Sequence, residues 1–177
     1  MKNQIKLFFI VFCTFKCVGQ NISSKNFIKI YNDLYPATEI FTFQCSKEGI
    51  GNLSVQFAKD GTNGLLKLEV FNNGNTNYIG GNVLVFLEDN TKITCIDKGI
   101  RDENEGKSIA IYNFNTAEME KLKNISISKI QFTLNAKTDV YGSIPGNYTS
   151  KKYVALNESE DGIETFGTNY NIKLLFD

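Results

Sequence analysis

Asn82 to Asp97 reads NVLVFLEDNTKITCID. Val83, Val85 and Leu87 alternate with Leu84 and Phe86, so the first half is a strand with apolar residues on both faces. Glu88-Asp89-Asn90 is a tight polar connection, and Lys92 to Asp97 returns as the partner. Two period-2 runs joined by a short turn predict a β-hairpin. A strand apolar on both faces is one covered on both sides, which puts Val83 to Asp97 at the centre of the fold.

Working outward, the same period recurs. Glu39 to Ser46 alternates around Phe41, Phe43 and Cys45. Leu53 to Ala58 carries Leu53, Val55 and Phe57 on one face, and Leu65 to Phe71 carries Leu66, Leu68 and Val70. The cluster Lys59-Asp60-Gly61-Thr62-Asn63-Gly64 is a turn between them. Asn72 to Asn77 is a polar loop, and Lys98 to Lys107 a charged one. Ser108 to Phe114 is another strand. Asn115 then caps a short helix, Thr116 to Lys123, with Glu118 placed to complete a capping box and Met119 and Leu122 as its buried edge. Ile125 to Leu134 changes phase: Ile125 and Ile127 share one parity, Ile130, Phe132 and Leu134 the other. A β-bulge near Ser128-Lys129 reconciles them. Ile28 to Leu34 is too short to assign. Gly167 to Phe176 is expected to add a closing strand through Tyr170, Ile172 and Leu174.

Frequent short strands with one short helix, and no alternation with long helices, disfavour a parallel α/β sheet. The expected class is all-β, an antiparallel β-sandwich, with a β-barrel as the alternative. The 177 residues suffice for one such domain.

Residues 1–20, MKNQIKLFFIVFCTFKCVGQ, have the layout of a secretory signal peptide. Lys2 and Lys6 form the basic start, Leu7 to Phe15 the apolar run, and Cys17-Val18-Gly19 puts small residues before a cleavage after Gly19. The run falls well short of the roughly 20 residues that span a bilayer. A lipoprotein signal at Cys13 or Cys17 would want a small residue just before the cysteine, where Phe12 and Lys16 stand. The expectation is a signal peptide over 1–19, a single β-sandwich domain over 20–177, a secreted or periplasmic location and no membrane span. Removing Lys2, Lys6 and Lys16 leaves 16 bases against 19 acids. That mild acidity, with Arg101 the only arginine, argues against nucleic acid as a partner.

The chain has no histidine. That excludes a Ser-His-Asp triad, a Cys-His pair and His-ligated zinc. General acid–base chemistry would fall to shifted carboxyls or lysines, yet the acids that can be placed sit in turns: Glu88 and Asp89, Asp102 to Glu105, Glu158 to Asp161. Asp102, Glu103 and Glu105 could offer oxygens to calcium, but a solvated turn explains them as well. The run from Asn157 begins like an EF-hand loop and has Thr168 where the twelfth-position Glu is needed. No catalytic residue, metal site or cofactor is assigned.

Tyr141, Tyr148 and Tyr153 lie in a Tyr- and Gly-rich tail and are the candidates for a binding surface, since aromatic rings stack on sugars and apolar groups. Their alternative is packing on the sheet. Cys45 and Cys95 survive signal cleavage and fall on inward strand faces. An even count in an exported chain suggests a disulfide; two separate buried thiols are the alternative.

GGNVLVFLEDNTKITC, then IAIYNFNTAEMEKLKN, then ISKIQFTL resemble segments of small uncharacterised exported proteins of the Bacteroidetes phylum. The resemblance covers Gly80 to Leu134, about a third of the chain, and implies a hairpin followed by a strand, short helix and strand. It supplies no catalytic residues. The function expected from the whole sequence is an exported, non-catalytic β-sandwich that binds an envelope protein or glycan. A carboxylate-based hydrolase is the alternative.

Overall fold

The computed structural model describes residues 26–47, 50–71, 76–137, 143–152 and 167–177. The signal-like segment, Tyr141, Tyr153 and the run from Asn157 to Asp161 lie outside them. In chain order the elements are β1 (Asn26–Ile30), β2 (Asp33–Ala37), β3 (Phe41–Cys45), β4 (Leu53–Asp60), β5 (Asn63–Phe71), β6 (Asn77–Leu87), β7 (Lys92–Cys95), β8 (Arg101–Asn104), β9 (Lys107–Phe114), α1 (Thr116–Asn124), β10 (Ile127–Ala136), β11 (Gly146–Lys152) and α2 (Thr168–Phe176). All strand pairings are antiparallel. The path runs β7-β6-β10-β11-β3-β4-β5-β9-β8, with the β1–β2 hairpin attached through β2 to β4. The fold is all-β, as the alternation predicts.

Alternation turns every second residue of the strands into a common core: Phe43, Leu53, Val55, Phe57, Leu66, Leu68, Val85, Tyr112, Phe132 and Leu134 are all buried there. The far side of β4, β5 and β9 is apolar too. Ala58, Leu65, Ile109 and Ile111 pack there under Ile28 and Ala37 of the β1–β2 hairpin in a second, smaller core. A segment too short to assign from sequence is therefore a hairpin laid over an outer sheet face. Pro36 stands opposite Phe27 in it, a position where the missing N–H costs no β1–β2 bond.

The β6–β7 hairpin forms in the expected register, Val83 opposite Cys95 and Val85 opposite Ile93. It does not sit at the centre. β6 is flanked by β10 and β7, and β7 ends the path. Val83, Val85 and Leu87 are buried, but Leu84 and Phe86 are only half-buried. The Lys129 ammonium lies 4.5 Å from the Phe86 ring centre, so a long side chain supplies part of the cover that a second layer was expected to give.

Ser128 is the bulge that the phase change requires: Ile127 faces Leu87 and Lys129 faces Phe86. Its hydroxyl donates to the carbonyls of Phe86 and Leu87 at 3.1 and 3.3 Å. A second irregularity lies further along. Gln131 faces Leu84 and Thr133 faces Gly80, so β6 advances four positions while β10 advances two. Gly81, at φ +74°, takes the left-handed conformation that this detour needs.

Two readings are corrected. Lys98 to Lys107 is not wholly loop: Arg101–Asn104 pairs with β9 across a two-residue turn, Glu105-Gly106, whose φ angles of 49° and 78° are those of a type I′ hairpin. Every residue of β8 is exposed, so no hydrophobic period could announce it. Gly167 to Phe176 is not a closing strand but carries the helix α2, which makes two helices among the described residues where one was expected. Thr168 and Ile172 are buried, while Tyr170 and Leu174 are exposed. Ile172 and Phe176, four apart, share a face in either period, but Tyr170 and Leu174 share Ile172's face only in a strand, and packing against α1 and β4 selects the helix.

α1 forms as its cap predicts. The Asn115 side chain accepts from the Glu118 amide at 3.0 Å, and Glu118 accepts from the Asn115 amide at 2.9 Å. Met119 and Leu122 close one end of the main core with Ile172.

Candidate functional site

Each residue singled out in the sequence has a definite place. Tyr148 is core, not platform: it is buried in β11, stacks on Phe132 with ring centres 5.7 Å apart and donates its hydroxyl to Ile144 O at 2.6 Å. Tyr141 and Tyr153 lie outside the described residues. Cys45 ends β3 and Cys95 ends β7, with β6, β10 and β11 between them along the sheet. Both are free thiols, so the expected bridge is not formed. Burial, and secondarily the Glu118 charge, pushes the Cys95 thiol up to about 12, which leaves it an inert neutral side chain at ordinary pH.

Among the described residues no three acidic or cysteine side chains form a metal-ligand group. Asp89 accepts from the Thr91 hydroxyl and amide at 2.7 and 2.9 Å, and these bonds hold its carboxyl below the usual carboxylate range. Glu103 pairs with Lys137.

Arg101 and Asp97 form a cluster that spacing alone did not reveal. Asp97 accepts from the amides of Gly81 and Gly99 at 2.7 and 2.8 Å and pairs with the Arg101 guanidinium. Arg101 Nε also donates to Ile79 O at 2.8 Å, and Tyr112 donates its hydroxyl to Gly81 O at 3.1 Å. Burial, then the nearby Asp97 charge, raises the Tyr112 pKa. The carboxylate's partners come from the protein itself, and the cluster ties β8 and β9 to the irregular part of β6. It is a clamp.

The concavity with open capacity is a groove of about 590 Å³ on the outer face of β5, β9 and β8. Cross-strand register builds its floor. Ile111 faces Lys67, and its amide donates to Ile100 O at 3.0 Å; Ile109 faces Glu69 on one side and Asp102 on the other. Ile109 and Ile111 belong to the small outer core and are buried at the groove's floor, with half-buried Ile30 and Ile100 and exposed Tyr31 at its margin. Lys67 and Glu69 neutralise each other at 2.8 Å. Lys29 on the hairpin wall and Asp102 on the β8 wall are exposed and take part in no ion pair among the described residues. A signal for this site existed in Ser108 to Phe114, where Ile109 and Ile111 alternate with Ala110, Tyr112 and Phe114. Both faces of that strand are apolar, so something must cover the outer one.

A second concavity, polar and about 640 Å³, lies where Ser126 donates to Asn169 Oδ1 at 2.6 Å. Lys152 and Gly167, which bound the segment outside the described residues, line it. No helix among the described residues is long and apolar enough to cross a membrane. No family model, curated protein or solved structure matches the chain.

Proposed function

We propose that the protein is an exported, non-catalytic binding module that seats an envelope protein in the groove over Ile100, Ile109 and Ile111. The observation that carries this reading is the groove's composition: a floor of buried Ile109 and Ile111 flanked by half-buried Ile30 and Ile100, between walls bearing two opposite charges that form no ion pair among the described residues. Apolar concavities with a few polar groups at the margin are the usual form of a ligand seat. The signal-like residues 1–19, and the resemblance to exported Bacteroidetes proteins, support delivery to the envelope.

The test uses purified full-length mature protein on a peptide array and on a glycan array that includes peptidoglycan fragments. Binding on the peptide array is expected, and it should fall at least tenfold with Ile100→Lys, a substitution at a half-buried groove position. Undiminished binding by that variant, with unchanged melting temperature, overturns the groove as the seat. Turnover in a glycan-hydrolysis panel that vanishes when one Asp or Glu becomes its amide would instead establish the hydrolase.

A further inference from the structure

We infer that the occupant of the groove is an extended polypeptide segment that carries alternate apolar side chains, one basic residue for Asp102 and one acidic residue for Lys29. The inference rests on the groove being the seat.

Ile109 and Ile111 lie two positions apart on β9 and both form the floor. Residues two apart on a strand repeat every 6.6 Å or so, which is also the repeat of alternate side chains in an extended peptide. A peptide lying along β9 therefore runs in step with Ile109 and Ile111, and its same-side residues meet the apolar surface that half-buried Ile30 and Ile100 add to that floor. The floor is aliphatic, and the only aromatic lining the groove is Tyr31 at the hairpin tip, so there is no broad aromatic platform for a sugar ring.

The wall facing the groove from β1 offers more than Lys29's charge. Among the described residues β1 is paired only with β2. Pro36 has no N–H to give Phe27, so Phe27 and Pro36 form a non-hydrogen-bonded pair. By antiparallel alternation the backbone groups of Phe27 and Lys29 then point away from β2. Lys29 thus presents a cation and a strand edge unpaired among the described residues on the same wall, and a peptide backbone can add to that edge.

The charges fix the chemistry. Glu103 and Arg101 on β8 are taken by Lys137 and Asp97, and Lys67 by Glu69. Lys29 and Asp102 stand on opposite walls, so complementarity asks for one charge of each sign on the ligand.

The test selects a phage-displayed random peptide library against the wild-type mature protein, Lys29→Glu, Asp102→Lys and the double variant. All substituted positions are exposed, so the fold is retained. Wild type should enrich peptides of alternating apolar residues with one base and one acid. Asp102→Lys should weaken those peptides about two- to fivefold, the range of an exposed charge pair, and enrich an acid in place of the base. The double variant should reverse the order of the two charges. Peptides indifferent to all three variants overturn the inference. So does glycan binding sensitive to Ile100→Lys with no peptide enriched, although that outcome spares the groove. No binding of either class overturns both.

Discussion

The hydroxyl of Ser108 in β9 accepts a hydrogen bond from the amide of Ile79 in β6 at 2.8 Å, and both residues are buried. No ladder pairs these two strands. The N-terminal half of β6 lies beyond the reach of β7, which pairs only with Val83 to Phe86. A side chain satisfies the amide that a neighbouring strand would have taken.

Ser108→Ala leaves that buried amide without its acceptor. The expected cost is about 1–3 kcal/mol of unfolding free energy, the penalty for an unsatisfied buried donor. Urea denaturation measures it. A change below about 0.5 kcal/mol would mean that water or a backbone shift replaces the bond.

Gly64 and Met119 should behave as a coupled pair. A Cβ built at Gly64 would lie 2.2 Å from Met119 Sδ, so Gly64→Ala should destabilise by about 1–3 kcal/mol through overpacking. Met119→Ala alone should cost about 2–5 kcal/mol by opening a cavity. Each change relieves the other, so a double-mutant cycle should show the pair costing less than the sum.

Val85→Asp puts a carboxylate at a position with no exposed surface, between β7 and β10. An uncompensated buried charge costs about 3–5 kcal/mol, a fall in Tm of roughly 10 °C or more for a chain of this size. Thermal melts followed by circular dichroism decide it. A near-wild-type melt would require β6 to pair on one side only.

The thiols should differ in reactivity, and stability should fall in alkali. Cys45 is partly exposed and Cys95 is 1% exposed, so a thiol reagent at pH 8 should modify Cys45 first and reach Cys95 only on unfolding. The folded state holds the Cys95 thiol neutral to about 12, against an ordinary value of 9.0. The unfolded chain loses that proton first, so the contribution is fully present below pH 9 and is lost as pH rises from 9 to 12. The raised Tyr112 hydroxyl acts in the same direction. Urea midpoints at pH 8 and pH 11 should show the drop, and Cys95→Ala should lessen it.

The sequence announced those elements whose burial is one-sided and periodic. β3, β4, β5, β6, β7 and β9 follow alternating apolar runs, α1 follows its capping box, and the Ser128 bulge follows a change of parity. It was mute on β8, whose four side chains are all exposed and whose pairing rests on turn dihedrals. It was ambiguous on α2, where Ile172 and Phe176 satisfy both periods. The groove was half legible: two apolar faces on β9 implied outer cover, but only tertiary placement showed that the β1–β2 hairpin stops short. The Tyr148 platform failed because an alternating strand residue is as readily core as surface, and Phe132 opposite it supplied the core.

The pairing of β3 with β11 sets the order in which this chain can finish folding. Cys45 faces Ser150, and the Ser46 amide donates to Thr149 O at 3.1 Å. About a hundred residues separate the two strands, so closing them carries the loop entropy of nearly the whole domain. A chain emerging from its N-terminal end exposes β3 early, with β4 on one edge and nothing on the other. The open edge is shut only when Gly146–Lys152 has appeared, so a polypeptide cut short before β11 presents two open strand edges, on β3 and β10, to every neighbour it meets.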